Sequence, residues 1–268
     1  MIHSDCHMHS SISSDSETQM EDMIKGAVEK HLNTICFTEH MDYNFPDNYE
    51  YDFQFDPEEY FDKINELADK YSEYITVLKG VEIGLMPGTE EKYAGLLRDY
   101  QWDYVIGSTH IISSVDPYYP EYWEGQDEKT CIKRYFDTVY ENIVSFSGFD
   151  SLGHLDYIIR YAPHKNSGFH ISDYMDIIDK ILRFIINNNI ALEINSSGYR
   201  AGLDEPNPCK DIIQRYIELG GNLYTFGSDA HDPGYIAGYF EHVCRLMESM
   251  GIHKYYIYKQ RRPFWVHI

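Results

Sequence analysis

Residues 2–10 read IHSDCHMHS and place His7 and His9 two positions apart at the end of a short run. Side chains at positions i and i+2 of an extended strand point to the same side, so both imidazoles can reach one ion. Residues 228–231, SDAH, repeat this spacing with Asp229 and His231. The first and the last predicted strands therefore each end in a pair of side chains that can bind a metal.

The runs between these two ends predict the fold. Besides the opening run, short apolar runs recur at 34–37, 75–83, 103–108, 151–155, 190–194 and 222–228. Amphipathic helical patterns separate them, among them 20–32, 173–187 with Ser172 as its N-cap, and 207–220 with Asn207 as its N-cap. Strands that alternate with helices indicate a parallel sheet with crossover helices, and seven such units favour a closed barrel. We predict one α/β domain over residues 1–268.

Composition excludes several classes of function. The formal net charge is −22, which repels nucleic acid and anionic membranes, so neither is an expected partner. The five cysteines form no CxxC pair, which is typical of reduced thiols in a cytoplasmic protein. No apolar run approaches the ~20 residues of a membrane span, and the first residues lack the apolar core of a signal peptide. We expect a cytoplasmic protein, whose oligomeric state the sequence leaves open.

Histidines and carboxylates gather at the ends of the predicted strands. His40, His110 and His154 each follow or end an apolar run, as do the carboxylates of Glu39 and Glu82. In a β/α barrel these strand ends meet at one face, where active sites are built. A single histidine at a strand end is usually a hydrogen-bonded structural residue. Chance does not explain six histidines at strand ends accompanied by carboxylates, so we interpret these six as candidate metal ligands. We interpret the other seven histidines as structural or solvent-facing.

The donor types indicate the kind of metal. A mixed set of imidazoles and carboxylates suits Zn, Mn or Fe, and no cysteine is placed to make a soft site. The set exceeds the four ligands of one tetrahedral ion, so at least two ions are expected. Paired ions ~3.5–4 Å apart hold a hydroxide nucleophile and stabilise in-line displacement at phosphorus.

The ordered motifs carry a family resemblance. HxH at residues 7–9, TEH, GVEIG, GSTH, GHLD and SDAH resemble the PHP superfamily, named for polymerase and histidinol phosphatase, and YKQRRPF at 258–264 looks like its histidinol phosphatase branch. The resemblance implies a distorted seven-stranded β/α barrel with three divalent metal ions. It assigns His7, His9, Glu82 and Asp229 to the first ion, and Glu82, His110 and His154 to the second. His40 and His231 hold the third, which Asp15 completes.

Further residues are expected to bind and process a small phosphorylated substrate. Arg160 and Arg200 lie in predicted βα loops, where the family's phosphate-binding arginines are expected, and neither should contact a metal. Asp42 is the candidate general acid, His231 joins the catalytic set, and Glu39 is expected to hydrogen-bond a ligand. The acidic, aromatic segments 43–58 and 113–127 are expected to cover the site and to suit a cationic leaving group.

Together these features predict a phosphomonoesterase. The resemblance implies metal-dependent hydrolysis of L-histidinol phosphate, by attack of a metal-bridging hydroxide on phosphorus, in histidine biosynthesis. A PHP phosphoesterase acting on another phosphomonoester, a nucleotide or a phosphotyrosine substrate is the alternative. A metal-binding barrel without activity is a third hypothesis, which the complete ligand set disfavours.

Overall fold

Seven parallel strands form a nearly closed barrel in the computed structural model, which describes residues 2–268. In chain order the strands are β1 (Ser4–Met8), β2 (Thr34–Met41), β3 (Thr76–Gly84), β4 (Tyr104–Ser108), β5 (Ser151–Leu152), β6 (Ala191–Asn195) and β7 (Tyr224–Gly227). Each strand pairs with the next one in the sequence. The predicted seven-stranded α/β barrel is confirmed. Met1, the first residue of the predicted domain, lies outside the described residues.

The first and last strands meet at their carboxyl ends. Met8 and Ala230 form a parallel bridge, and the backbone N–H of His9 donates to the carbonyl oxygen of Ala230 at 2.9 Å. The N–H of Asp229 in turn donates to the carbonyl oxygen of His7 at 2.8 Å. These bonds hold the HMH and SDAH segments side by side.

Within residues 2–268, eight α-helices follow or separate the strands and pack around them. They are α1 (Met20–Glu29), α2 (Pro57–Lys70), α3 (Glu90–Asp99), α4 (Glu128–Ser145), α5 (Met175–Asn187), α6 (Ser197–Arg200), α7 (Lys210–Glu218) and α8 (Phe240–Ser249). Acidic side chains begin two of them. Asp56 accepts from the N–H groups of Glu58 and Glu59 with Pro57 in the first turn of α2, and Asp127 caps α4 by accepting from Thr130. None of the helices in residues 2–268 combines the length and the apolar character that a membrane span requires.

Two predicted helix caps are wrong. Ser172 lies in a short 3₁₀ turn, and Tyr174 precedes α5 instead. Asn207 forms a backbone bridge with Asn195 of β6, and its side chain bonds Arg160 and Asp156, so α7 begins three residues later at Lys210. Tertiary partners take Asn207 away from the helix end that its type favours locally.

A C-terminal hairpin lies outside the barrel sheet. It comprises β8 (Lys254–Lys259) and β9 (Arg262–His267), which pair in antiparallel fashion. At its turn, the Arg261 guanidinium donates to the carboxylate of Asp150 at 2.5 Å and to the carbonyl oxygen of Gly148 at 2.7 Å. Asp150 directly precedes β5, so the YKQRRPF segment fastens the amino end of the shortest barrel strand.

The two aromatic, acidic segments contact each other. The backbone N–H of Asp116 donates to the Tyr49 hydroxyl at 3.1 Å, and the rings of Tyr49 and Tyr119 stack with centroids 4.4 Å apart. The first segment ends by entering α2 at Pro57. The two segments therefore lie against each other, and the second contains a short 3₁₀ helix at Pro120–Tyr122.

Candidate metal centre

The site lies at the carboxyl ends of the barrel strands. His7 is in β1 and His9 directly follows it, His40 lies in β2 and Glu82 in β3. The remaining members follow β4, β5 and β7: His110, His154, Asp229 and His231. The parallel order of the sheet therefore brings residues that are more than 200 positions apart in the chain to one rim.

Glu82 occupies the centre of this group and is fully buried. Its Oε2 atom lies 3.1 Å from His7 Nε2, 3.5 Å from His9 Nε2 and 3.2 Å from His40 Nδ1. Its Oε1 atom lies 3.0 Å from His154 Nε2 and 3.3 Å from His110 Nε2. The two oxygens thus face two different sets of imidazoles, which is the geometry that a bridging carboxylate needs.

The structure contains four groups of three possible ligands each, and within a group the donor atoms all lie within 4.8 Å of one another. They are His7, His9 and Glu82; Glu82, His110 and His154; His9, His40 and His231; and His40, Asp42 and His110. The second group is the second predicted ligand set, and the first group is the first predicted set without Asp229. His9 belongs to both the first and the third group. Its ring centroid lies 4.2 Å from that of His40 and 4.3 Å from that of His231.

Asp229 and Asp15 lie beside these groups. Asp229 Oδ1 is 3.7 Å from His7 Nε2 and 3.5 Å from His9 Nε2. Asp15 Oδ2 is 3.0 Å from His231 Nε2 and 3.6 Å from His40 Nε2. Asp15 thus lies next to the third predicted set, at the more exposed edge of the site.

The electrostatics suit metal binding at His9 and Glu82, whereas neighbouring carboxylates raise the pKa of four other imidazoles and favour their protonated forms: those of His7, His40, His110 and His231. Burial, together with the neighbouring imidazoles of His40 and His231, lowers the pKa of His9 to about 3. Burial opposes ionisation of Glu82, yet His7, His40 and His110 hold the pKa of Glu82 well below its ordinary value. A neutral imidazole and an ionised carboxylate are the forms that donate to a metal ion.

Asp42 and Glu39 differ in what they contact. Asp42 Oδ2 lies 2.7 Å from His110 Nδ1, so it orients the ring whose Nε2 faces Glu82. Glu39 accepts hydrogen bonds from the Ser10 N–H and from the hydroxyls of Ser10 and Ser13. Glu39 therefore organises the turn that follows His9, and none of the four donor groups includes it.

Arg160 and Arg200 reach the site in different ways. Arg160 donates from NH1 to Asp229 Oδ2 at 3.0 Å and from Nε to Asn207 Oδ1 at 2.8 Å, and its NH2 contacts Ser197 Oγ at 2.5 Å. Arg200 donates from NH1 and NH2 to the carbonyl oxygens of Ser228 and Asp229, at 3.2 and 2.8 Å. The hydrogen bonds of Arg160 therefore go to side chains, one of which is a predicted metal ligand. Those of Arg200 go to the backbone, and its guanidinium carbon lies 4.8 Å from the centroid of the Tyr235 ring.

A cavity of about 210 Å³ opens over these residues. His40, Asp42, His110 and His231 line it together with both arginines. An adjoining cavity of about 230 Å³ has a mostly aromatic wall and shares Asp116, Tyr157 and Tyr161 with the first. Burial raises the pKa of Asp116 to about 6. The donor cluster and an acidic, aromatic pocket are thus continuous.

Sequence reasoning missed three residues of this region. Glu193 lies in β6 with its Oε1 atom 2.6 Å from His7 Nδ1, and the Ser108 hydroxyl donates to Glu82 Oε1 at 2.6 Å. Asp116 is the third. The available signal for Glu193 was a carboxylate in the middle of the apolar run IALEI, where ionisable side chains are rare unless they are paired.

The donor set fits divalent ions. Its imidazole nitrogens and carboxylate oxygens are the ligands of Zn, Mn and Fe, and none of the four donor groups contains a cysteine. Within residues 2–268, the buried atoms His40 Nδ1, Asp42 Oδ1 and His154 Nδ1 have no hydrogen-bond partner. Buried polar atoms are rarely left so, and bound ions are one way of satisfying them.

The chain is similar in sequence to known proteins over most of its length. The PHP domain family model matches residues 5–197. The chain is 33% identical to a protein named probable histidinol-phosphatase from Clostridium acetobutylicum, over 92% of this chain and 94% of that protein. It is 30% identical to the histidinol-phosphatase of Lactococcus lactis, over 85% of this chain and 83% of that protein.

A solved structure shares the whole fold. The histidinol phosphate phosphatase of Lactococcus lactis, crystallised with zinc, L-histidinol and phosphate, superimposes with a TM-score of 0.90 and is 27% identical. The alignment covers 97% of this chain and 98% of that one.

Proposed function

Because the chain belongs to the PHP domain family, we propose that it is a metal-dependent histidinol-phosphatase. It hydrolyses L-histidinol phosphate to L-histidinol and inorganic phosphate, a step of histidine biosynthesis. The full-length similarity to histidinol-phosphatases supports this reaction, and the geometry of the strand ends supports the metal dependence.

We propose three divalent ions with the ligand sets expected from the sequence. Glu82 would bridge the first two, because its two oxygens face His7 and His9 on one side and His110 and His154 on the other. His40, His231 and Asp15 hold the third. When bound, such ions supply an ionised water nucleophile at neutral pH and neutralise charge on the phosphoryl oxygens.

The chain's own residues bind the phosphate and protonate the leaving group. In the reaction, an oxygen from water bonds to phosphorus while the bond from phosphorus to the histidinol oxygen breaks. Arg200 lines the cavity and donates to the phosphoryl oxygens, where a guanidinium gives bidentate geometry. Asp42 donates a proton from Oδ1 to the leaving alkoxide while Oδ2 keeps its bond to His110.

The position of the Asp116 carboxylate is the observation that supports the substrate assignment. It lines both the cavity over the donor groups and the adjoining aromatic pocket. Its Oδ1 accepts only the N–H of Tyr118 among the described hydrogen bonds, and Tyr157 and Tyr161 stand on the same wall. A carboxylate among aromatic rings attracts a cation, and histidinol carries an amine and an imidazole. The leaving group therefore extends from the donor groups towards Asp116.

A panel of phosphomonoesters tests the proposal. We expect kcat/KM to be highest for L-histidinol phosphate, compared with p-nitrophenyl phosphate, a nucleoside monophosphate and phosphotyrosine. Equal or higher kcat/KM for any of the others contradicts the substrate assignment.

Asp116→Asn tests the observation itself. It should lower kcat/KM for L-histidinol phosphate about ten- to a hundredfold, since it removes one charged hydrogen-bond acceptor, and change that for p-nitrophenyl phosphate little. Asp52→Asn, in the other covering segment and exposed, is the matched control. Equal losses on both substrates in Asp116→Asn contradict a role in recognising the leaving group.

A further inference from the structure

Glu193 is a fully enclosed carboxylate that neither the predicted ligand sets nor the four donor groups include. It lies in β6, on the opposite side of His7 from Glu82. His7 Nδ1 is 2.6 Å from Glu193 Oε1, while His7 Nε2 is 3.1 Å from Glu82 Oε2. The ring of His7 is therefore held between two carboxylates.

The second oxygen of Glu193 is also engaged. Oε2 accepts the backbone N–H of His154 at 2.8 Å and the side-chain NH₂ of Asn195 at 3.2 Å. The orientation of the Asn195 amide is fixed, because its Oδ1 accepts the N–H of Ser197 at 3.0 Å. One carboxylate thus contacts His7 of the first ligand set and His154 of the second.

Packing leaves this arrangement no room to move. A Cβ atom on Gly227 of β7 would lie 2.3 Å from His7 Cβ and 2.6 Å from Glu193 Oε1, so only glycine admits the pair at this point. His7 is fully buried and Glu193 is 1% exposed. The contact belongs to the closed barrel and not to a mobile surface.

We propose that Glu193 is a positioning residue, which fixes the His7 tautomer and ties His7 to His154 so that both ligand sets form together. With Nδ1–H donated to Glu193, the lone pair of His7 is on Nε2, the nitrogen that faces Glu82 and His9. This inference rests on the proposed metal site. It goes further by assigning the preorganisation of two sets to one residue that binds no metal.

Glu193→Gln is a sharp test, because an amide fails in either orientation. If its NH₂ takes the place of Oε2, it meets the N–H of His154 and the NH₂ of Asn195, both of which are donors. If its NH₂ takes the place of Oε1, it donates to His7 Nδ1, which moves the ring proton to Nε2 and removes the metal-binding lone pair. Glu193→Asp keeps the negative charge, but its side chain is one methylene shorter, so the carboxylate lies farther from His7.

The experiment measures metal content, metal affinity by chelator competition, and ¹⁵N-histidine NMR spectra of the full-length protein. We expect Glu193→Gln to lower zinc affinity about 10- to 100-fold, the usual effect of losing a carboxylate that supports a histidine ligand. Glu193→Asp should have a smaller effect. The protonated nitrogen of His7 should be Nδ1 in the wild type and should shift or exchange in Glu193→Gln.

Asp150→Asn is the matched control. Asp150 is also a buried carboxylate, which accepts the N–H of Val105 and the Arg261 guanidinium at the amino end of β5. Its replacement should lower the melting temperature and leave zinc affinity unchanged.

The outcomes separate the two proposals. A wild-type protein that binds no divalent metal contradicts the proposed function. Wild-type zinc affinity in a folded Glu193→Gln protein, beside a metal-binding wild type, overturns only the role of Glu193. Should Glu193→Gln not fold, wild-type affinity in Glu193→Asp with an unchanged His7 spectrum overturns that role instead.

Discussion

The two arginines should respond differently to replacement by alanine, although both line the cavity. Arg200 donates two of its hydrogens to the carbonyl oxygens of Ser228 and Asp229. A guanidinium has five, so three remain without a partner among the described residues and are available to phosphate. Arg200→Ala removes a phosphate contact and no contact with a metal-binding side chain, since its bond to Asp229 is to the backbone carbonyl.

The expected loss of kcat/KM in Arg200→Ala follows from the type of hydrogen bond that is removed. Loss of one hydrogen bond to a charged group costs about 1.5–3 kcal/mol, or roughly ten- to a hundredfold in kcat/KM. Arg200→Ala should therefore lose activity by that factor with full metal content. Arg200→Lys should recover part of it, because lysine supplies charge without the planar fork.

Arg160→Ala should also lose metal, whereas the expectation from the sequence is that Arg160 contacts no metal and that its replacement leaves the metal content intact. Its bond to Asp229 is buried, with side chains 8% and 10% exposed. Breaking a buried pair of this kind costs about 3–5 kcal/mol of stability, and it leaves Asp229 Oδ2 with the Ser197 hydroxyl at 3.3 Å as its described hydrogen-bond donor. The freed Asp229 no longer has a fixed orientation towards His7 and His9.

The assay combines elemental analysis, steady-state kinetics on L-histidinol phosphate and thermal unfolding. Arg183→Ala is the control, since Arg183 is 59% exposed and only distantly paired with Asp179. Wild-type kinetics in Arg200→Ala refute its role as a phosphate ligand. Full metal content and unchanged stability in Arg160→Ala refute the reasoning about Asp229.

Three further predictions concern the metal ions and the leaving group. Removing the metal with a chelator should abolish phosphatase activity, and adding Zn or Mn should restore it; turnover by the metal-free protein contradicts metal dependence. Glu82→Gln should reduce metal content and rate more than Asp15→Asn, because Glu82 contacts four imidazoles within 3.3 Å, and comparable losses contradict the bridging assignment. Burial raises the pKa of Asp116 to about 6, so its charge is complete above that pH and is lost as the pH falls through it. As this charge is lost, the ratio of kcat/KM for L-histidinol phosphate to that for p-nitrophenyl phosphate should fall. A ratio that is the same above and below that pH contradicts the role of Asp116.

The sequence alone determined the barrel and the face of it at which the histidines and carboxylates gather. Alternating strand and helix patterns are local properties, and a parallel sheet with crossover helices follows from them. Because strand ends of such a barrel share one face, the polar residue after each apolar run was enough to predict that His7, Glu82, His110 and His154 meet. That argument needs only the position of a residue relative to its own strand.

Tertiary structure decided the partners of each side chain. Asparagine is a residue type that favours helix caps, but Asn207 instead bonds Asn195 of β6 and Arg160. Local propensity cannot predict partners that are this distant in the sequence. Arg160 bonds the carboxylate of Asp229, 69 positions away, whereas Arg200 donates its hydrogen bonds to the carbonyl oxygens of Ser228 and Asp229. Glu193 meets His7 across 186 positions. Nothing near these residues in the chain encodes such distances, because they depend on how β1, β6 and β7 close the barrel.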